Sequence, residues 1–86
     1  MIDRHSIETA YCFFHQKHRV YVHSTLEWQR DDIEYAIASY SENMNPELYA
    51  FLAQGRAGFL RRHDRFTDDL EESLASMQDA LDKQVF

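Results

Sequence analysis

Leu26, Ile33, Ile37, Tyr40 and Met44 recur at intervals of seven, four, three and four positions. At ~100° per residue these side chains share one narrow stripe, with Ala36 at its edge. The repeat is a helix period rather than the two-residue period of a strand, and it persists over about five turns. The stretch Ser24–Met44 (STLEWQRDDIEYAIASYSENM) is therefore an amphipathic helix whose stripe needs an apolar surface to pack on.

The remaining chain supplies that surface in helical form. Two glycines and one proline among 86 residues leave little turn chemistry for β-hairpins. The 44 % hydrophobic and 14 % aromatic content is that of a globular chain rather than a disordered one. The expected fold is all-α: a small four-helix bundle forming a single domain, since a chain of this length has no room for two cores.

The expected helices span about residues 6–22, 25–43, 46–54 with a short continuation over 57–63, and 67–83. Asp3 or Ser6 caps the first, and Ser24 or Thr25 caps the second, Glu27 completing a capping box with Ser24. Asn45-Pro46 is the strongest local signal, an N-cap followed by a residue with preset φ and no N–H to lose. Gly55 offers a C-cap, with Gly58 three residues on, and the favoured reading breaks the third helix there; the alternative keeps one helix to about His63 with Gly55 on the buried face, at ~1 kcal/mol per interior glycine against alanine. Thr67 caps the last helix, and Asp68, Asp69, Glu71 and Glu72 suit its positive end.

Candidate core positions follow from the same spacing. They are Ile7, Ala10, Tyr11, Phe14, His18, Tyr21 and Val22 on the first helix, widened by Phe13 and Val20. Leu48, Phe51 and Leu52 serve the third, and Leu70, Leu74, Met77 and Leu81 form a 4-3-4 seam on the last. Val85 and Phe86 are expected to tuck onto the bundle or fray.

Trp28 and Tyr35, seven residues apart, share the face nearly opposite the aliphatic stripe, with Asp31, Asp32 and Glu42 around them. The expectation for a chain this short is that they belong to the core of a helix packed on both sides. The competing reading makes them an exposed anchor for a partner. Under that reading Phe13, Val20, Trp28 and Tyr35 together form an interaction surface for a homodimer or for a helical protein partner.

The net charge of −6 is uneven: about +1 over residues 1–25, −5 over 26–50, +3 over 51–66 and −5 over 67–86. An acidic chain is a poor binder of nucleic-acid phosphates. The local exception is GRAGFLRRHDRF, where Arg56, Arg61, Arg62 and Arg65 could contact an anion or nucleic acid. Pairing of these arginines with the acidic helices on either side is the simpler expectation.

No catalytic residue, cofactor or metal is expected. Cys12 and His15, with Glu8 near them, are the nearest approach to a ligand set or a nucleophile–base pair. They lack the remaining ligands, an orienting third group and an oxyanion site. His18 falls within the apolar stripe as a semi-buried, satisfied histidine. No apolar run reaches the ~18–20 residues that span a bilayer, and the N-terminal stretch lacks a signal-peptide pattern. A single cysteine fits a cytoplasmic location. The functional expectation is a small non-enzymatic interaction or structural module that self-associates. Its alternative is a small regulator contacting nucleic acid or another anion through Arg56–Arg65.

Overall fold

Asp3 opens the first helix: its carboxylate accepts the Ser6 N–H at 2.7 Å, satisfying one orphan donor of the first turn. α1 runs Arg4–His23 and α2 runs Glu27–Ser39, continuing as a π-helical turn over Tyr40–Met44. α3 is Pro46–Ala53, a 3-10 turn covers His63–Arg65, and α4 is Phe66–Lys83. The computed structural model describes residues 3–83, and among these there is no β-strand. Val85 and Phe86 lie outside the described residues. The fold is the expected all-α bundle in one globule, measuring 38 × 23 × 20 Å.

α1 is the spine. Tyr21 near its end meets Phe66 at the start of α4, ring centroids 4.9 Å apart, and His18 Nε2 lies 3.4 Å from Glu71 Oε2. The two helices therefore run antiparallel. α2 returns along another side of α1: Phe13 stacks on Tyr40 at 4.6 Å, and the Ser24 hydroxyl donates to Gln29 Oε1 at 2.7 Å. Ile7, Phe14, Ile37, Leu48, Leu52, Phe59, Phe66, Leu70 and Met77 close the core between them. Ala10, Ser73 and Ala80 are buried as well, and their small size lets α1 and α4 approach closely.

Several expectations are corrected by the tertiary packing. The buried seam of α4 is Leu70, Ser73, Met77 and Ala80, whereas Leu74 and Leu81 are only half-buried. Spacing alone favours large residues, but the contact with α1 selects small ones. Val20 and Val22 are exposed on α1, and Phe51 is exposed on α3, where Ala53 is buried in addition to Leu48 and Leu52. On α2 only Ile33 and Ile37 of the aliphatic stripe are fully buried. Leu26 precedes the first helical residue, and the wider π turn carries Met44 outward. That turn is closed by the Asn45 N–H on the Tyr40 carbonyl at 3.1 Å, while the buried Ser41 hydroxyl donates to Ile37 O at 2.9 Å.

Two caps also differ. α2 starts at Glu27 with no side-chain cap, since Ser24 instead ends α1 and donates to Leu26 O and Gln29. α4 starts at Phe66, fed directly by the 3-10 turn, so Thr67 lies inside the helix. The Asn45–Pro46 start stands as expected, with the Leu48 N–H on Asn45 Oδ1 at 3.2 Å.

The short helix over 57–63 is replaced by turns. Gln54, Gly55, Gly58 and Leu60 all take positive φ, which a right-handed helix cannot accommodate. Leu60 is the strained member, a branched side chain at φ 63°. Two things hold it. Its side chain is fully buried beside Phe59, and its N–H donates to Asp69 Oδ2 at 3.0 Å. Asp69, expected to complement the positive end of the last helix, is a buried acceptor that ties the loop to α4.

A second polar tie joins three elements. The Tyr21 hydroxyl donates to Glu34 Oε2 at 2.9 Å, and the same oxygen lies 2.7 Å from His63 Nδ1. Burial and the Glu34 carboxylate push the Tyr21 phenol up to about 12.

Candidate functional site

α2 presents two unlike faces. Ile33 and Ile37 enter the core, and the face turned away from them carries Trp28, 64 % exposed, and Tyr35, 75 % exposed. Neither aromatic belongs to the core, contrary to the first expectation for them. Helical geometry is the reason. A residue ~140–160° around the helix from Ile33 reaches the core only if a further element packs on that side, and α1 already serves the other. Glu27, Asp31 and Asp32 are exposed around the two rings. Glu42, expected on the same rim, is joined instead to Arg61.

Beside this face lies an open groove of about 630 Å³ between the C-terminal half of α1 and the start of α2. Val20, 53 % exposed, lies in it together with Lys17, Arg19, His23 and Gln29. Trp28 does not line the groove itself but stands ~100° around α2 from Gln29, which does. The groove is basic and the face acidic, a division produced by Lys17 and Arg19 on one helix and Glu27 and Asp32 on the other. Arg19 and His23 are exposed on α1, and the return of α2 turns that side of α1 into one wall of the groove, which the periodicity of α1 alone cannot show.

Phe13 stands apart from the other three proposed interaction residues. It is half-buried, its ring stacked on Tyr40 and Lys17 Nζ 5.5 Å from its centroid. Burial raises the Tyr40 phenol. Phe13 thus belongs to the α1–α2 contact and supports the groove from beneath Lys17.

The four arginines of the basic segment have divergent surroundings. Arg56 donates through Nε to Ala53 O at 2.9 Å and through Nη2 to Leu52 O at 3.0 Å, capping the last carbonyls of α3. Its Nη1 reaches Glu72 of α4 at 2.7 Å, and its guanidinium lies 4.4 Å from the Phe59 ring centroid. Arg61 pairs with Glu42 and lies 5.5 Å from the Tyr49 ring centroid; Arg62 Nη2 is 3.7 Å from Asp69. Arg65 is exposed and meets no carboxylate among the described residues. Three of the four are therefore engaged with the protein's own backbone and carboxylates.

Cys12 is a free, exposed thiol on α1. The neighbouring His15 ring stacks on Tyr11 at 5.8 Å, and Glu8 pairs with Arg4 at 3.0 Å. His18 is half-buried against Glu71, as its place in the stripe implied. Comparison with protein-family models, with curated proteins and with solved structures gave no match, so the functional reading rests on these residues alone.

Proposed function

We propose that this chain is a small, non-catalytic helical interaction module that pairs with a second copy of itself through α1 and α2. The observation that carries the reading is Trp28, an exposed indole beside an open groove large enough to receive it. Trp and Tyr surrounded by polar groups are typical of interface centres, and their exposure in a monomer has no packing benefit.

Charge selects the arrangement. Pairing two α2 faces about an axis between Asp31 and Asp32 gathers four carboxylates at the centre, which opposes association. Seating the α2 face of each copy in the groove of the other instead brings Glu27 and Asp32 toward Lys17 and Arg19. The contact is reciprocal, as a two-fold dimer requires. Trp28 then lies against Val20 of the second copy. The exposed thiol of Cys12 fits a cytoplasmic setting for such a module.

Absolute mass by light scattering on a sizing column, across a range of protein concentrations, tests this. The expected result is a dimer that Trp28→Ala with Tyr35→Ala reduces to monomer. Lys17→Glu with Arg19→Glu should also give monomer, and adding Glu27→Lys with Asp32→Lys should restore the dimer. A monomer at every concentration overturns the reading. The second reading, an anion or nucleic-acid contact through the arginine segment, draws support from Arg65 alone, and a salt-dependent mobility shift with duplex DNA would favour it.

A further inference from the structure

Asp31, Glu34 and His63 bring three metal-ligating atoms within 4.8 Å of one another, the one such group among the described residues. Asp31 and Glu34 are three apart on α2, and His63 enters from the 3-10 turn before α4. His63 Nδ1 lies 2.7 Å from Glu34 Oε2 and 4.0 Å from Asp31 Oδ1. We infer that these three side chains form a binding site for a single zinc ion, at the edge of the α2 face that carries Trp28 and Tyr35.

The donor chemistry carries the assignment. One imidazole nitrogen and two carboxylate oxygens are borderline-to-hard ligands suited to Zn²⁺, and too few oxygens for Ca²⁺. Two carboxylates with a neutral imidazole sum to −2, matching the ion. Ligand atoms ~2.0–2.2 Å from zinc sit about 3.4 Å apart around a tetrahedron. The present separations bracket that value, and Asp31 and His63 are exposed side chains that can shift to reach it.

Surrounding groups support the ligands. Tyr21 donates to Glu34 Oε2 at 2.9 Å, fixing the orientation of that carboxylate from outside the ligand set. Arg30 packs over the Tyr21 ring at 4.8 Å and is the nearby cation that opposes the ion. His63 also borders an open hollow of about 330 Å³ with Ser24, Thr25, Glu27 and Arg30, so its ring is open to solvent on that side. Without zinc, a proton on Nδ1 bridges His63 to Glu34. Zinc takes the Nδ1 lone pair, so neutral His63 must carry its proton on Nε2.

The test is a calorimetric titration of zinc chloride into the full chain in a non-coordinating buffer, repeated with His63→Ala and Asp31→Asn, both surface substitutions. One zinc per chain is expected, weakened tenfold or more by either substitution and unchanged by Cys12→Ser with His15→Ala. Cobalt substitution should show no thiolate charge-transfer band, and the His63 ¹⁵N signals should report the shift of the proton to Nε2. No binding at micromolar zinc overturns the site. So does binding that survives His63→Ala or requires Cys12.

Discussion

Single residues decide where this small fold is rigid. Asp69 is buried, and its carboxylate accepts the N–H of a leucine held at positive φ. Asp69→Ala leaves that N–H without a partner and should cost about 1–3 kcal/mol in urea denaturation. Asp69→Asn keeps an acceptor oxygen and should cost less. Tyr21 gives a pH-dependent counterpart. Its phenol is raised to about 12 in the folded chain, against the ordinary value near 10. The folded state thus binds the phenolic proton more tightly than the unfolded state. The resulting stability is fully present below about pH 10 and is lost as pH rises toward about 12. Spectrophotometric titration should show a late-titrating tyrosine that Glu34→Gln brings part of the way down, because burial still raises it but the carboxylate is gone.

Helices in this chain are defined as much by what ends them as by their stripes. The Asn45–Pro46 start of α3 was legible because cap and proline act locally. The end of α3 is held by a distant arrangement: Arg56 binds two terminal carbonyls, stacks on Phe59 and reaches Glu72 of α4. Arg56→Ala should destabilise the protein by about 1–2 kcal/mol through loss of these charge-assisted bonds. Arg65→Ala, at an exposed guanidinium that meets no carboxylate among the described residues, should stay within about 0.5 kcal/mol. Thermal melts of the two variants side by side separate a structural arginine from a surface one. Equal losses would contradict the division of labour described for the basic segment.

The whole molecule is small enough that every core residue matters. At ~0.05–0.15 kcal/mol per residue, an 86-residue domain has a total stability of about 4–13 kcal/mol. Phe14 is fully buried between α1 and its neighbours, and Phe14→Ala should remove about 3–5 kcal/mol, much of that total. Trp28→Ala, despite deleting a larger side chain, should change the stability of the isolated chain by no more than about 0.5 kcal/mol. Denaturation at concentrations low enough to keep the chain monomeric checks both. A large loss for Trp28→Ala would return that residue to the core and remove the support for a docking face.

Local sequence pattern is enough to dictate that the chain is helical, about where its helices run, and that Ile33, Ile37, Phe14, Leu70 and Met77 face inward. These follow from local quantities: the 3.6-residue period, the cap at Asn45 and the scarcity of glycine and proline. It could not decide whether Trp28 and Tyr35 were core or surface, because a face of a helix is buried only when another element lies across it. It favoured Leu74 and Leu81 over Ser73 and Ala80, because closeness of approach between α1 and α4 is a property of the pair. Glu34 and His63, 29 positions apart, carry no signal of each other in the chain. They meet because turns with positive φ replace the expected helix before His63, and chain reversal at such turns is fixed by packing around Phe59 and Leu60.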